Sequence, residues 1–396
     1  MHSYILPTYN RTNISFVSGK GSFLFSKGGK KYLDFASGIA VTSFGHCNNY
    51  LINALNIQSK RLWHCSNAFE IPEQEKLAKK LVKLTFADKV FFCNSGAEAV
   101  EASIKVARAY FQIKKKSNRY KIITIKGSFH GRTLATISAS GQDKLINGFK
   151  PVVAGFVSIP YADHEAIEKV IDSKTAAIMI EPILGEGGIK VIPPECLEGL
   201  RKLCNKKKIL LIFDEVQSGM GRTGKLFMYQ WTKIKPDILA TAKGIGGGFP
   251  IGACLVTKRI AQGMKLGSHG STFGGNPLAC SVSNAVVDLM NKKNFFKQLN
   301  SNANFLIGEL EKIKNKNADL IEEIRGKGFL LGIKCKINNK IFIDNLIKNG
   351  LLVVGASENV IRLLPPLNVK KNEIIKAIKI IENTCKYIIK KNKVNK

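Results

Sequence analysis

A lysine that follows an apolar run is the first residue of this sequence that could do chemistry. Lys243 comes after "ILATA" (238–242) and before the glycine-rich stretch "GIGGGFPIG" (244–252). Burial can lower the pKa of a lysine far enough to make its amine a nucleophile. An ordinary lysine at a strand end would show the same pattern, so residues elsewhere in the chain must separate the two interpretations.

Two carboxylates end another apolar run, 29 residues before Lys243. Asp214 and Glu215 close the stretch "KILLIFDE" (208–215). Ligands of an open α/β sheet bind outside the carboxyl ends of its strands. A carboxylate buried there is costly unless a cation faces it. We therefore expect Asp214 and Lys243 to lie at one edge of one sheet.

A serine and a glycine follow a third run, "KVFFCNSG" (89–96). Ser95 and Glu98 have the S-x-x-E spacing of a capping box, and Gly96 would allow the backbone to approach a ligand closely. The N-terminus of a helix offers free N–H donors and the positive end of a dipole, which suit a phosphate group. A well-capped helix without any ligand explains this motif equally well.

The three sites together match the needs of one cofactor. Pyridoxal phosphate requires a lysine for its imine, an acid to keep its ring nitrogen protonated and an anchor for its phosphate. Lys243, Asp214 and the segment from Ser95 to Ala97 would supply these functions.

The elements that must position these residues are short, β-rich and unbroken runs separated by helical patterns. Such runs indicate strands that are buried on both faces of a mostly parallel sheet. We predict a doubly wound α/β domain over residues 45–285. A long amphipathic segment near 287–315 and shorter patterns after it predict a smaller α+β domain over 286–396, to which residues 1–44 would also belong. The predicted strands lie in 89–96, 120–127, 175–182, 208–215 and 236–243.

Composition restricts the classes of protein that remain. The net charge of +32 comes mostly from lysine, since only ten of the 61 basic residues are arginines, and no nucleic-acid-binding motif accompanies it. We therefore expect no nucleic-acid partner, although a basic nucleic-acid-binding protein that keeps an inert enzyme fold is the rival from another class.

The absence of a long apolar run and of a secretory signal predicts a cytoplasmic protein without a membrane span. The nine scattered cysteines predict neither a disulfide nor a metal site.

The chain resembles the class III pyridoxal-phosphate-dependent aminotransferases of fold type I over nearly its whole length. The resemblance rests on six motifs in the family's order, namely "NSGAEAVEASIKVAR", "SFHGRT", "EPILGEGGI", "FDEVQSGMGRTG", "ATAKGIGGGFPIGA" and "STFGGNP". It implies a large domain with a mostly parallel seven-stranded sheet and a smaller α+β domain.

The resemblance also implies which residues hold the cofactor. Lys243 would bind it covalently and then act as the base that moves the proton, while Asp214 would pair with the ring nitrogen. Backbone N–H groups after Ser95 would hold the phosphate. The remaining implied contacts are Phe129 and Val216 on the ring faces, Gln217 near the phenolic oxygen, Glu215 beside Asp214, and Thr272 reaching the phosphate from the other subunit of a homodimer.

The substrate residues implied by the resemblance include two arginines. Arg132 would bind a substrate carboxylate through a bidentate fork. Arg362 would pair with Glu186 and be released to bind the second carboxylate when glutamate enters, although a purely structural salt bridge would look the same. Ser271 would touch the substrate. We expect a structural role for Arg222 and a packing role for His130.

Within the family, "DFASGIAV" (34–41) is most similar to members that act on N2-acetyl-L-ornithine. The implied reaction gives N-acetyl-L-glutamate 5-semialdehyde and glutamate from that donor and 2-oxoglutarate, a step of arginine synthesis. Ornithine, 4-aminobutyrate and succinylated donors (succinylornithine or succinyl-diaminopimelate) remain alternatives. The chain departs from the family at "GHCNNY" (45–50), where members usually read GHCHP, and we expect only local consequences.

Overall fold

The strands and helices of the chain are known from a computed structural model that describes residues 4–113 and 118–394. The outermost residues of the predicted terminal domains, 1–3 and 395–396, therefore lie outside the described residues. The strands are β1 (Phe16–Lys20), β2 (Phe23–Ser26), β3 (Lys31–Asp34), β4 (Lys89–Cys93), β5 (Lys121–Ile125), β6 (Phe156–Ile159), β7 (Thr175–Ile180), β8 (Ile183–Leu184), β9 (Lys190–Val191), β10 (Leu210–Asp214), β11 (Ile238–Thr241), β12 (Gly252–Val256), β13 (Ile321–Lys327), β14 (Leu330–Cys335), β15 (Leu351–Leu352), β16 (Val354–Ala356) and β17 (Val360–Leu363).

Helices occupy many of the segments between the strands. They are α1 (Ser37–Ala40), α2 (Asn49–Ser59), α3 (Pro72–Leu84), α4 (Gly96–Ile113), α5 (Leu134–Ser140), α6 (Asp143–Ile146), α7 (His164–Val170), α8 (Pro194–Lys207), α9 (Lys258–Ala261), α10 (Pro277–Met290), α11 (Phe295–Lys316), α12 (Asn339–Lys348) and α13 (Lys371–Val394). Two single turns of 3₁₀ helix span Met228–Trp231 and Lys243–Ile245.

A seven-stranded sheet in the order β4-β12-β11-β10-β7-β5-β6 carries the predicted site. Its pairings are parallel except those of β12, which is antiparallel to both β11 and β4. The predicted fold class, a mostly parallel seven-stranded sheet with a second α+β part, is confirmed. Because β7, β10 and β11 are buried at every position, their unbroken apolar sequences are those of strands covered on both faces.

The smaller sheets involve both ends of the chain. Strands β13, β14, β17 and β16 form an antiparallel sheet, and β3 of the N-terminal sheet pairs with β15. The first residues of the chain and its last hundred are thus joined through one ladder. The domain boundaries at 44 and 285 themselves stay a prediction.

The predicted amphipathic segment near 287–315 is two helices instead of one. Helix α10 ends at Met290 and α11 begins at Phe295. Between them Asn294 has a φ of 68°, in the left-handed region that interrupts a right-handed helix. The apolar periodicity continues across this break because both helices pack on the same core, so the sequence pattern alone did not show it.

Arg222 lies fully inside the protein and joins two parts of the fold. Its guanidinium donates hydrogen bonds to the carbonyl oxygens of Phe329 (3.2 Å) and Pro365 (2.5 Å). Burial lowers its pKa to about 9. These contacts fit the structural role that the sequence analysis expected.

None of the helices within the described ranges 4–113 and 118–394 combines the length and hydropathy that a membrane span requires. All nine cysteines are free.

Candidate active site

A cavity of about 1030 Å³ opens at the carboxyl edge of the seven-stranded sheet. Ligand pockets in proteins usually measure about 300–1000 Å³, so this cavity has room for a cofactor together with a substrate. Eleven of the predicted site residues line it, namely Ser95, Gly96, Ala97, Phe129, Arg132, Glu186, Asp214, Val216, Gln217, Lys243 and Arg362.

Lys243 begins a tight turn directly after β11. Its φ of 48° lies in the left-handed region, which is unusual for a residue other than glycine and marks a backbone held by its surroundings. The carbonyl of Gly244 accepts a hydrogen bond from Ser43 (3.0 Å) and thereby helps to fix this turn. Burial, with a further contribution from Arg362, lowers the pKa of Lys243 to about 8. The amine is therefore much more often neutral than an exposed lysine would be.

Asp214 ends β10 and is held from two sides. Its Oδ1 accepts the N–H of Val216 (3.0 Å), and its Oδ2 lies 2.8 Å from Nδ1 of His130. Burial opposes the charged form of His130, but the hydrogen bond and the charge of Asp214 outweigh it, so the pKa of His130 is raised. The hydrogen bond from the imidazole fixes the orientation of the Asp214 carboxylate.

His130 is a site residue that sequence reasoning missed. It was expected to pack, yet it lines the cavity and contacts Asp214, 84 residues away in sequence. Its Nε2 is buried without a hydrogen-bond partner. The sequence places His130 directly after Phe129, but this position does not indicate that its partner is Asp214.

Glu181 is the second missed residue. It follows β7 and its carboxylate accepts the N–H groups of Phe129 (2.7 Å) and Gly185 (3.3 Å). The carboxylate therefore fixes both the segment of Phe129 and the segment that leads to Glu186. Burial, and after it the charge of Asp214, raises the pKa of Glu181 to about 7.

The first turn of α4 lies at the cavity, where the sequence predicts a phosphate cup. Oγ of Ser95 accepts the N–H of Glu98 (3.2 Å), while the Glu98 carboxylate accepts the N–H of Asn94 (2.7 Å), one residue earlier than a standard capping box places it. The first N–H groups of a helix have no partner within it. A Cβ on Gly96 would lie 2.7 Å from Cγ1 of Val216, so only glycine allows Val216 to pack over the cup.

An ion pair stands inside the cavity between Arg362 and Glu186. Nη2 of Arg362 donates to Oε2 of Glu186 at 2.7 Å and to the carbonyl of Gly355 at 2.8 Å. Nη1 donates to Oε1 of Gln217 at 3.4 Å. The side chain of Arg362 is only 3% exposed and that of Glu186 is 32% exposed, so Glu186 is the partner with room to move.

Arg132 lies at the mouth of the cavity. It is exposed, and its guanidinium carbon is 5.7 Å from the centre of the Phe129 ring. This contact leaves the planar fork of the guanidinium available to a carboxylate.

Three predicted residues do not line the cavity. Glu215 is a correction, because its buried carboxylate turns away and accepts the N–H groups of Met228 (2.6 Å) and Tyr229 (3.0 Å), and burial raises its pKa to about 7. Ser271 contacts the cavity only indirectly, through Asn94. Its Oγ accepts a hydrogen bond from Asn94 (3.1 Å), and Asn94 lines the cavity. Thr272 is exposed. Its role toward a second subunit stays a prediction.

The residues present fit pyridoxal phosphate. An amine of lowered pKa, Lys243, and the carboxylate of Asp214 stand at the ends of neighbouring strands, β11 and β10. Free N–H groups at the start of α4 suit a phosphate, and the apolar side chains of Phe129 and Val216 both line the space. The unpartnered, buried Nε2 of His130 adds a polar atom that the chain alone leaves without a hydrogen bond.

Comparison with known proteins agrees with this geometry. The sequence pattern of the class III aminotransferases matches residues 5–385. The chain belongs to the class III aminotransferases. It is an enzyme, and the expected family, enzyme class and pyridoxal phosphate cofactor are confirmed.

Individual relatives carry more specific names. An acetylornithine aminotransferase of Brucella melitensis is 48% identical over 392 residues, which cover 99% of this chain and 97% of the relative. An acetylornithine/succinyldiaminopimelate aminotransferase of Yersinia pestis is 44% identical over 98% of this chain and 96% of the relative. Among solved structures, the ornithine aminotransferase of Toxoplasma gondii superposes with a TM-score of 0.94 at 31% identity and covers 98% of this chain and 94% of that chain.

Proposed function

We propose that this aminotransferase moves the δ-amino group of N2-acetyl-L-ornithine to 2-oxoglutarate and so yields N-acetyl-L-glutamate 5-semialdehyde and L-glutamate. The observation that carries the proposal is the Arg362–Glu186 ion pair at 2.7 Å inside the cavity that holds Lys243. When bound, pyridoxal phosphate supplies the electron-withdrawing ring that stabilises a carbanion and carries the amino group between the two substrates.

Lys243 would hold the cofactor covalently and move a proton. Because its pKa is lowered to about 8, a useful fraction of the amine is neutral near physiological pH and can both attack a carbonyl and accept a proton. The hydrogen bond from Ser43 to the carbonyl of Gly244 helps to fix the backbone from which the Lys243 side chain extends.

Asp214 would keep the cofactor ring nitrogen protonated, with His130 as a positioning residue behind it. The 2.8 Å contact between these side chains holds one carboxylate oxygen of Asp214 in a fixed direction. Phe129 and Val216 would hold the ring from its two faces and exclude water. The backbone N–H groups of Gly96 and Ala97 would bind the phosphate.

The acetylated donor has no carboxylate at its reacting end, whereas glutamate and 2-oxoglutarate have one. The ion pair between Arg362 and Glu186 can accommodate both kinds of substrate. When the acetylated donor presents its δ-amine and apolar chain, Glu186 neutralises Arg362, so no unpaired cation faces the chain. When glutamate or 2-oxoglutarate enters, Glu186 can swing aside because it is partly exposed, and Arg362 can bind the second carboxylate. Arg132 would bind the single carboxylate of the acetylated donor and the remaining carboxylate of glutamate or 2-oxoglutarate.

The wall near the N-terminal segment supports an acylated donor. Gly38, Ile39 and Val41 line the cavity there and offer small or aliphatic surface. Acetylation removes the charge of the α-amine, so the donor needs no acidic partner at this wall. A free ornithine would bring an ammonium group to an apolar surface, which costs free energy.

Initial rates with different donors test the proposal. The holoenzyme is assayed at fixed 2-oxoglutarate with N2-acetylornithine, ornithine or 4-aminobutyrate. We expect kcat/KM for N2-acetylornithine to exceed that for ornithine by at least about a hundredfold, since burying the unpaired α-ammonium of ornithine costs several kcal/mol. We also expect 4-aminobutyrate to react more slowly, because it lacks the acylamino group that would contact the apolar wall. Equal values for ornithine and its acetyl derivative would contradict the assignment.

Succinylated donors are a second candidate, favoured by the name of the Yersinia pestis relative. A succinyl group is longer than an acetyl group by one methylene and ends in a carboxylate. Because Arg132 is exposed at the mouth, it could meet that group as well. The same assay with succinyl-diaminopimelate decides whether the chain serves one donor class or two.

A homodimer with shared sites is part of the proposal. Thr272 is exposed and lies in the segment after Ser271, which contacts Asn94 at the rim of the cavity. Several large apolar side chains near this segment are also exposed, among them Trp63, Phe69 and Phe273. A second copy of the chain would cover such a surface and bring its own Thr272 to the phosphate.

A further inference from the structure

The hairpin that carries Glu186 is too small to hold itself in place. It consists of β8, the loop 185–189 and β9, and we refer to it as the gate hairpin. Its ladder contains only two residue pairs, Ile183 with Val191 and Leu184 with Lys190. A two-stranded ribbon is marginal even at greater length. Something outside the hairpin must therefore fix the position of Glu186.

The backbone of the loop also carries strain. Ile189 has a φ of 55°, a conformation that is a genuine outlier for a β-branched residue. Residues in such conformations persist only where neighbouring structure holds them. The side chain of Ile189 is fully buried, so part of that support is apolar packing.

The polar part of the support is a set of charged side chains that contact the hairpin at Gly188 and Lys190. Nη1 of Arg325, on β13, donates to the carbonyl of Gly188 (3.1 Å) and to Oε2 of Glu358 (3.1 Å). Nζ of Lys190 forms an ion pair with the other oxygen of Glu358. We call Arg325, Glu358 and Lys190 the hairpin clamp. The clamp ties the C-terminal side of the hairpin, at Gly188 and Lys190, to Arg325 and to the carboxylate of Glu358.

Glu358 connects the clamp to the arginine of the ion pair. It lies in the turn between β16 and β17, and β17 carries Arg362 while β16 carries Gly355, whose carbonyl accepts from Arg362. The neighbouring Ser357 donates its N–H to the carbonyl of Glu186 (2.9 Å). The same turn therefore sets the positions of both members of the ion pair.

The chemistry of Arg325 suits this function better than a lysine would. Lysine is the usual cation of this chain, which has only ten arginines among its 61 basic residues. A guanidinium can bridge a carbonyl and a carboxylate with fixed geometry, whereas an ammonium cannot. Its side chain is 15% exposed, so the interaction is screened less than a surface pair. Burial opposes its charge, yet hydrogen bonds to Glu323 and Glu358 raise its pKa.

We infer that Arg325 is a specificity-determining positioning residue, which acts through the hairpin clamp to keep Glu186 paired with Arg362. The inference rests on the proposed function, because it concerns the balance between that function's two half-reactions. A held Glu186 favours the acetylated donor, which needs Arg362 neutralised. A released Glu186 favours glutamate and 2-oxoglutarate, which need Arg362 free.

Arg325→Gln and Glu358→Gln test this inference, with Lys334→Gln as the matched control. The control breaks the ion pair of Lys334 with Glu322, on the sheet shared with Arg325, without touching the gate hairpin. Each half-reaction is followed separately by stopped-flow absorbance with N2-acetylornithine or with glutamate alone. We expect the ratio of second-order rate constants, donor over glutamate, to fall about tenfold in both clamp variants and to stay unchanged in the control.

Hydrogen exchange supplies a readout that needs no substrate. Peptides that cover 183–191 should exchange at least about fivefold faster in Arg325→Gln and Glu358→Gln, while peptides of β10 and β11 keep their protection. Arg325→Lys should recover little of the ratio, because it restores charge without the bridging geometry. Glu358→Gln keeps the shape of the turn and so covers the case in which Arg325→Gln does not fold.

The outcomes separate this inference from the proposed function. If the wild-type enzyme fails to react with N2-acetylornithine, the proposed function is overturned. The clamp is then tested by hydrogen exchange and by the ratio of rate constants for glutamate and for any donor with one carboxylate that the wild type accepts. Unchanged exchange in the gate hairpin overturns the clamp. Faster exchange with both half-reactions slowed equally also overturns it, since Arg325 would then be merely structural.

Discussion

At the scale of the residue, the protonation of Lys243 is the property most open to measurement. Its pKa is lowered to about 8 from an ordinary 10.5. At a pH below about 8 the amine of Lys243 is protonated and cannot attack a carbonyl. At a pH between about 8 and 10.5 it is mostly neutral, whereas the amine of an exposed lysine is still mostly protonated. We expect the rate at which the cofactor-free enzyme captures pyridoxal phosphate to rise through about pH 8 and level off above it.

The capture rate is measured by absorbance after the two components are mixed across pH 6–10. The free cofactor's own ionisation is corrected with butylamine as the reference amine. A rate that keeps rising toward the pKa of an ordinary lysine would show that the cavity does not desolvate Lys243.

His130 supports a second prediction at this scale. His130→Leu removes the partner of Asp214 Oδ2, and a hydrogen bond to a charged group is worth about 1.5–3 kcal/mol. We therefore expect kcat to fall roughly tenfold to a hundredfold with little change in KM for the donor. The pH dependence of the bound cofactor's absorption should shift as well. An unaltered kcat would return His130 to the packing role that the sequence suggested.

The site was more predictable from sequence at positions inside local motifs than at contacts across the chain. Lys243, Asp214 and Gly96 end predicted strands, so the topology of a parallel sheet brings them together. His130 and Glu181 could not be found in this way, because their partners are distant side chains or backbone groups. Glu215 was misplaced since adjacent residues of a strand point to opposite sides.

At the scale of the element, the start of α4 supports a comparison of two glycines. A methyl group on Gly96 would meet Val216 at 2.7 Å, so Gly96→Ala must displace either the phosphate cup or the residue that covers the ring. We expect the affinity for pyridoxal phosphate to fall about tenfold to a hundredfold, the equivalent of one charge-assisted hydrogen bond.

Gly199→Ala in α8 is the matched control. A Cβ at Gly199 meets nothing within 4 Å. The substitution should raise the free energy of unfolding by roughly 0.5–1 kcal/mol through helix propensity and leave cofactor affinity unchanged. Both are measured by chemical denaturation and by titration with the cofactor. Equal cofactor affinity in the two variants would argue against a phosphate at α4.

Element boundaries show where sequence patterns stop being informative. Each of the five predicted strand runs contains a strand of the main sheet, because a doubly buried strand is an unbroken apolar run. Strand β12 was not predicted. Strand β6 was not predicted either. Strand β12 is antiparallel to both of its neighbours, and a pairing direction of this kind is set by the connection and not by composition. The break at Asn294 was missed for a similar reason, since both helices share one apolar face.

At the scale of the whole molecule, the exposed surface of the chain bears on whether it forms a dimer. The exposed apolar side chains near the cavity and the exposed Thr272 lead us to expect a sedimenting species of about twice the 43.6 kDa of one chain. Thr272→Ala should leave that species intact but weaken cofactor binding about tenfold, the loss of one hydrogen bond to a charged group. A monomer that binds the cofactor as tightly as wild type would refute shared sites.

The net charge of +32 says little about what the enzyme acts on. It comes from lysines spread over the surface, whereas the cavity depends on a few placed charges, chiefly Arg132, Arg362 and Lys243. Whole-chain charge therefore could not have predicted the substrates. The position of individual arginines in a lysine-rich chain was the better guide.

The central claim is that one cavity exchanges an amino group between an acetylated diamino acid and 2-oxoglutarate at Lys243. The most direct test is the visible spectrum of the holoenzyme as N2-acetylornithine and then 2-oxoglutarate are added, with Lys243→Ala alongside. We predict that the band of the lysine-bound cofactor bleaches with the first addition and returns with the second, and that the variant shows neither change. A band that N2-acetylornithine leaves intact would contradict the assigned donor, and a normal band in Lys243→Ala would contradict the assigned nucleophile.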